Sequence, residues 1–297
     1  MKKTTLMLAL LTAFFVPIAA HAQDAQTSEP TEQEAVLELY EYTEDSAVFV
    51  MSNIFFITFH ELGHALITEL GLPVLGRQED AVDQFATILL APEPGESDAE
   101  SAAQILDSAI AGWFLFGQQT AVEDIAWWDE HGDQFQRAYQ IACLLYGADP
   151  QATEELADGI GLPVERRESC IAERETVNAS WDSVLTPHLR PDDVAAAQIE
   201  IIYEEAGDYA AERDLLETTQ IMETAASVAG FYNISRNITI GATQCGTPNA
   251  FWDSETGVII ICYEMMALYH ALYAESDAFD ESAETEEQPV AEEETEK

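Results

Sequence analysis

His60-Glu61-Leu62-Gly63-His64 places two imidazoles four residues apart with a carboxylate between them, at the end of a long apolar run from Ala47 to Phe59. On a helix, positions i and i+4 lie one above the other on one face. Two imidazoles so placed can both reach one Zn²⁺, at about 2.0–2.1 Å each. Glu61 sits part of a turn round, where it can hold a water activated by the metal and take its proton. This is the pattern of the helix of a zinc-dependent hydrolase, most often a peptidase. The bland alternative is an amphipathic helix that happens to carry two histidines. The surroundings argue against it: Val48-Phe49-Val50-Met51 and Ile54-Phe55-Phe56-Ile57 are apolar nearly all round, as in a core helix. Imidazole and carboxylate buried there cost several kcal/mol unless paired or metal-bound, roughly 2–7 kcal/mol per polar group. Gly63 costs about 1 kcal/mol in a helix interior, which is reasonable if a metal-bearing segment packs against it closely.

The elements that position these residues can be read outward from the motif. The first helix stops at Leu70-Gly71-Leu72-Pro73, with Gly71 as a left-handed cap and Pro73 just beyond. A second helix is predicted from Arg77 to Ala91. It carries Glu79 and Asp83 four apart on one face, an E-x-x-x-D arrangement in which Glu79 ligates zinc and Asp83 accepts the N–H of a ligating histidine. Asp80 and Asp83 are rivals for the third ligand. The opposing reading, that Glu79 and Asp80 merely suit the positive end of the helix dipole, explains Asp80 well and Asp83, beside Val82, Phe85 and Ala86, poorly.

The stretch HELGHALITELGLPVLGRQEDAVDQFATILL resembles a bacterial family of uncharacterised zinc metallopeptidases whose pattern runs close to HELGHALI and then LPV-x-GREEDAADQ. It is more distantly similar to ImmA/IrrE-type metallopeptidases. The nearer resemblance continues through Trp128-Asp129-Glu130-His131 with Gln136-Arg137-Ala138-Tyr139, through Cys143 to Pro150, and through Leu162-Pro163, Arg167 and Cys170 to Trp181 and His188. It extends to the hairpin from Cys245-Gly246 through Asn249-Ala250-Phe251-Trp252-Asp253 to Cys262-Tyr263-Glu264. In that family the hairpin precedes the HELGH helix, and here it follows, so the chain reads as a circular permutation, a change tolerated where termini lie close together. The resemblance implies one zinc ion, a peptide or protein substrate and a zincin-like fold.

Composition sets the outer limits. Lys2 and Lys3, the apolar run Leu6 to Ile18 and Ala20-His21-Ala22 form a secretory signal cleaved after Ala22, so a periplasmic or secreted protein is expected. Beyond it no run reaches the roughly 18 apolar residues of a membrane span, and no stable membrane insertion is expected. The four cysteines suit an oxidising compartment. They allow three pairings; Cys143–Cys170, stapling two helical segments, and Cys245–Cys262, closing the hairpin, are expected. Eleven Lys and Arg stand against 56 Asp and Glu, net −45, which excludes nucleic acid as a partner. The charge is read as serving solubility rather than substrate choice.

The expected organisation is a signal peptide over 1–22, a polar linker over 23–34, an HExxH metallopeptidase core over 35–190, a helical segment plus disulfide-linked hairpin over 191–273 completing the same domain, and an acidic disordered tail over 274–297. Helical patterns fall at about 35–45, 46–70, 77–91, 99–120, 131–147, 151–158, 192–206 and 208–230. A loop is read at 93–98, and strands only at 237–242 and 250–261. The fold class is α+β, predominantly α-helical, with a small β-sheet. A sheet edge beside the HExxH helix can align an extended peptide by strand addition.

Three further residues are candidates on weaker grounds. His131, at the predicted start of a helix, is a catalytic candidate that could hydrogen-bond a developing oxyanion. Arg137 either clamps a substrate carboxylate or neutralises a buried acid, and the second fits a chain so poor in cations. Tyr263 could donate to an oxyanion. The function expected is an exported zinc metallohydrolase, a metallopeptidase with Glu61 as general base. The competing readings are a metal-containing binding or scaffold protein without catalysis, and an amidase on a non-peptide substrate.

Overall fold

The computed structural model describes residues 42–92 and 99–286; the expected signal peptide, the polar linker and the 93–98 loop lie outside them. The elements in chain order are α1 Glu44–Leu70, α2 Gln78–Leu90, α3 Ala99–Gln119, α4 Gln134–Ala148, α5 Glu154–Gly159, α6 Val164–Leu185, β1 Ile199–Tyr203, α7 Ala210–Thr219, α8 Ile221–Ala229, β2 Ile238–Thr243, β3 Ala250–Asp253, β4 Val258–Cys262 and α9 Tyr263–Glu286. The class is α+β and mainly helical, as the sequence indicates.

Everything is built round α1. Thr43 caps its start by accepting from the Ser46 N–H, and Gly71 ends it in the left-handed region at φ 64°. Val50, Ile54, Leu62 and Leu66 along it are fully buried. By length and composition α1 could cross a membrane, yet 94% of its apolar window is buried inside the protein. That corrects the expectation that no span-length run follows the leader, and the core accounts for the apolarity. α2, α3, α8, α9 and the sheet surround α1. One apolar cluster runs from Phe49 through Ile141 and Ile240 to Leu272, uniting both halves of the chain.

The sheet has the order β1-β2-β4-β3. β1, β2 and β4 run parallel, Ile199 opposite Ile238 and Thr239 opposite Val258, and β3 runs antiparallel to β4 along the free edge. Two disulfides brace the fold with the pairing expected: Cys143–Cys170 joins α4 to α6, and Cys245–Cys262 closes the hairpin region.

Four expectations need correction. Residues 199–203 form strand β1 and not a helix, because Ile199, Ile201, Ile202 and Tyr203 are β-branched or aromatic and pair along β2. α6 runs over Val164–Leu185, where the sequence indicates only a helical segment about Cys170 without bounds. The helix expected from 131 begins at Gln134, where the Asp133 side chain accepts the Phe135 N–H as its cap, so His131 stands in the preceding loop. Of the expected disordered tail, residues 274–286 continue the helix α9 and residues 287–297 lie outside the described residues. Met266, Tyr269 and Leu272 anchor α9 in the core, and the Ala and Glu that follow are good helix formers.

Candidate metal centre

α2 packs directly on the backbone of α1 at Gly63. A methyl group there would lie 2.9 Å from Val82 Cγ1 and 3.2 Å from Phe85 Cδ1, so glycine is what lets α2 sit against the motif. This contact aims the first turns of α2 at the two histidines. His60, Glu61, Glu79 and Asp83 are all buried, Asp83 the most completely.

The donor atoms converge. His60 Nε2 and His64 Nε2 are 3.2 Å apart. Glu79 Oε2 lies 3.1 Å from the first and 3.3 Å from the second. The other nitrogen of each ring is held from behind. His60 Nδ1 meets Asp83 Oδ1 at 2.7 Å, and His64 Nδ1 meets Gln78 Oε1 at 2.9 Å. Asp83 is fixed in turn: Arg137 of α4 donates to both its oxygens, Nε to Oδ2 and Nη2 to Oδ1, each at 2.7 Å. The guanidinium rests 3.7 Å over the Trp113 ring of α3. Four helices therefore fix the orientation of His60.

Electrostatics give the arrangement its meaning. Burial alone would keep His60 neutral, but hydrogen bonds to Asp83 and Glu79 outweigh it and hold its pKa at about 9. Burial opposes charge on Glu79 too, and the facing imidazoles of His131, His60 and His64 overcome it and hold its carboxyl far below the usual range. Asp83, despite burial, is held at about 2 by Arg137 and His60. The raised pKa of His60 and the lowered pKa of Glu79 both mark a point that favours positive charge, where the ring nitrogens meet the Glu79 carboxylate. A divalent cation bound there would take the place of the proton on His60. Donors at 2.0–2.2 Å from a tetrahedral zinc stand about 3.3 Å apart, and the His60–His64–Glu79 triangle has edges of 3.1–3.3 Å. The donor set fits zinc.

Glu61 stands beside this triangle, its Oε1 4.0 Å from His60 Nε2. Burial pushes its pKa up, the two histidines draw it back, and the Trp252 backbone also hydrogen-bonds it. That link reaches the sheet edge. Cys262 N–H donates to Asn249 C=O, which sets the alternation along β3, so Ala250 and Trp252 turn their backbone groups away from β4 to the free edge.

Of the remaining candidates, Asp80 is partly exposed and pairs with Arg77 at 3.2 Å, away from the donors. His131 joins the cluster, its Nε2 3.1 Å from Glu79 Oε2 and its Nδ1 3.0 Å from Asp129 Oδ1. Arg137 neutralises buried Asp83 and is not a substrate clamp. Tyr263 is fully buried and donates to Glu204 C=O at 3.0 Å, remote from any oxyanion role. Sequence reasoning missed Gln78, Trp113 and the Trp252 backbone. Gln78 adjoins Glu79 and could have been weighed; the other two are brought in by tertiary packing alone. Cys245, Cys262 and Glu264 also lie together, but the sulfurs are joined in a disulfide, and Glu264 accepts the N–H groups of Cys245 and Gly246.

No curated protein and no solved structure matches the chain. One family model does, over residues 16–185 and 203–295, taking in the HELGH helix, α2 and the hairpin. The chain belongs to that family, DUF4344, described as "Putative metallopeptidase".

Proposed function

We propose that the chain is an exported zinc metallopeptidase in which His60 Nε2, His64 Nε2 and Glu79 Oε2 hold one zinc ion and Glu61 is the general base. The observation that carries this reading is the triangle of those three atoms, with edges of 3.1–3.3 Å and a buried carboxylate at its side. Zinc bound there supplies a Lewis acid for the scissile carbonyl and lowers the pKa of water to about 7.

The chain's own residues do the rest. Asp83 keeps the Nδ1 proton of His60 on its side, so the Nε2 lone pair points at the donor triangle. Glu61 takes a proton from the attacking water as its oxygen bonds to the carbonyl carbon. It then delivers that proton to the amide nitrogen as the C–N bond breaks, leaving a carboxylic acid and an amine. Burial of the Glu61 carboxyl raises its basicity, which suits both transfers. The outward carbonyl of Ala250 on the edge strand offers an acceptor to an extended peptide, while its N–H donates to Asn249 Oδ1 at 3.0 Å; this edge is the zincin-like element of the reading. Two disulfides are compatible with export to an oxidising compartment.

A peptide-library digest comparing wild type with Glu61→Gln tests the mechanism. The variant is expected to retain zinc and lose hydrolysis by about 10²–10⁴-fold, the range of general-base contributions. Hydrolysis by Glu61→Gln at the wild-type rate would overturn the assignment. One observation favours the non-catalytic alternative: His131 stands close enough to the donors to close the site.

A further inference from the structure

The loop before α4 brings a third imidazole to the two on α1. His131 Nε2 is 3.1 Å from Glu79 Oε2. Its Nε2, a ring nitrogen of His60 and a Glu79 oxygen all lie within 4.8 Å of one another. The edge to Glu79 already matches the roughly 3.3 Å of a tetrahedral donor pair. The edge to His60 lies within 4.8 Å and is the one a bound metal would have to shorten.

His131 is held very differently from its partners. His60 is buried and locked through Asp83 and Arg137. The His131 side chain is 45% exposed. It is tied to Asp129, which accepts both its backbone N–H at 2.8 Å and its Nδ1–H at 3.0 Å, and to Arg77, whose Nη1 donates to its carbonyl at 3.2 Å. Asp129 and Arg77 are themselves about half exposed. Asp129 does for His131 what Asp83 does for His60: it occupies Nδ1 and leaves Nε2 facing the donors. The same loop, through Trp127, Asp129, His131 and Gly132, walls a cavity of about 540 Å³ floored by Trp113 and Arg137.

We propose that His131 is a fourth, exchangeable donor to the metal, one that fills the remaining coordination position in the resting protein and yields it to the attacking water when substrate arrives. The inference rests on the metal-centre reading above. It makes the site a latched hydrolase: closed by an exposed loop, where a purely structural zinc site would be closed by buried ligands.

The test compares wild type, His131→Ala and His64→Ala by competition for Zn²⁺ against a chromophoric chelator, and by the visible spectrum of the Co²⁺-loaded proteins. His131→Ala is expected to weaken zinc binding by about 10–100-fold or more, at least the loss seen when an outer partner is removed, and to shift the Co²⁺ bands. It is also expected to bind acetohydroxamate, which must displace the fourth donor, more tightly than wild type does. Unchanged zinc affinity and Co²⁺ spectrum in His131→Ala overturn the proposal, and if turnover is lost as well, His131 acts on the substrate oxygen and not on the metal. Weakened zinc binding with no gain in acetohydroxamate affinity overturns the exchange. His64→Ala separates this from the underlying reading: it is expected to lose zinc whichever way His131 falls, and zinc retained there, or none bound by wild type, overturns the metal centre itself. A thermal melt in chelator, expected to be the same for wild type and His131→Ala, excludes misfolding as the cause.

Discussion

Gly63→Ala adds one methyl group between the two helices that carry the metal donors. That methyl would stand 2.9 Å from Val82 Cγ1, 3.0 Å from Val82 Cβ and 3.2 Å from Phe85 Cδ1. Val82 cannot swing aside, because a β-branched side chain in a helix has one strongly preferred rotamer and Val82 is fully buried. α2 must therefore back away by several tenths of an ångström, taking Glu79 and Asp83 with it. Overpacking of this kind costs about 1–3 kcal/mol, while alanine regains about 1 kcal/mol of helix propensity over glycine. The net loss of stability is then about 0–2 kcal/mol. The larger effect falls on the centre, where the 2.7 Å His60–Asp83 bond and the Glu79 edges open. Denaturant unfolding in the presence of chelator gives the first quantity, and chelator competition for zinc gives the second. A Gly63→Ala protein more stable by the full helix-propensity gain, with unchanged zinc affinity, would refute the claim that glycine at this crossing sets the donor geometry.

Removing the partner of buried Asp83 isolates a charge. Arg137→Met is expected to cost about 3–5 kcal/mol, the range for breaking a buried ion pair, and a shift of the urea midpoint equivalent to well under 1 kcal/mol would contradict the role given to Arg137. Glu212 is buried beside Tyr42, whose hydroxyl donates to it at 3.0 Å, and burial raises its pKa above the ordinary 4.5. A raised folded-state pKa means that its contribution is fully present below pH 4.5 and is lost as pH rises through the folded value. Glu212→Gln keeps an acceptor for Tyr42 and is expected to flatten that fall in a stability–pH profile; an unchanged slope counts against it. Cys143→Ser with Cys170→Ser opens a link spanning 27 residues, and a loss of about 3–4 kcal/mol is expected from chain entropy, read as a lower thermal midpoint; an unchanged midpoint would show that α4 and α6 hold together without it.

What could be read in the sequence was local. The HELGH helix, its stop at Gly71, the E-x-x-x-D face of α2 and the hairpin all show themselves within a few turns of chain. α6 hid for a definable reason. Its buried residues, Arg167, Cys170, Arg174, Val177, Trp181 and Leu185, follow a helical spacing, but two of them are arginines, so no hydrophobic period appears. Their donors are met by tertiary partners: Arg167 donates to Glu154, Asp158 and the Leu162 carbonyl, and Arg174 to the Leu144 carbonyl. β1 was masked by Ala195-Ala196-Ala197, which lent a short strand a helical look. At the site, a spacing of four yields Glu79 and Asp83, whereas the Trp252 backbone reaches Glu61 only because the sheet edge packs on α1. No sequence pattern links positions that far apart.

One zinc ion held by His60, His64 and Glu79 is the feature on which the proposed chemistry depends. Zinc content per chain, measured by elemental analysis on wild type, His60→Ala, Glu79→Ala and Asp80→Asn, addresses it most directly. One zinc per chain is expected in wild type and in Asp80→Asn, and a loss of stoichiometric zinc in His60→Ala and Glu79→Ala. Full zinc in Glu79→Ala, or its loss in Asp80→Asn alone, would contradict the account.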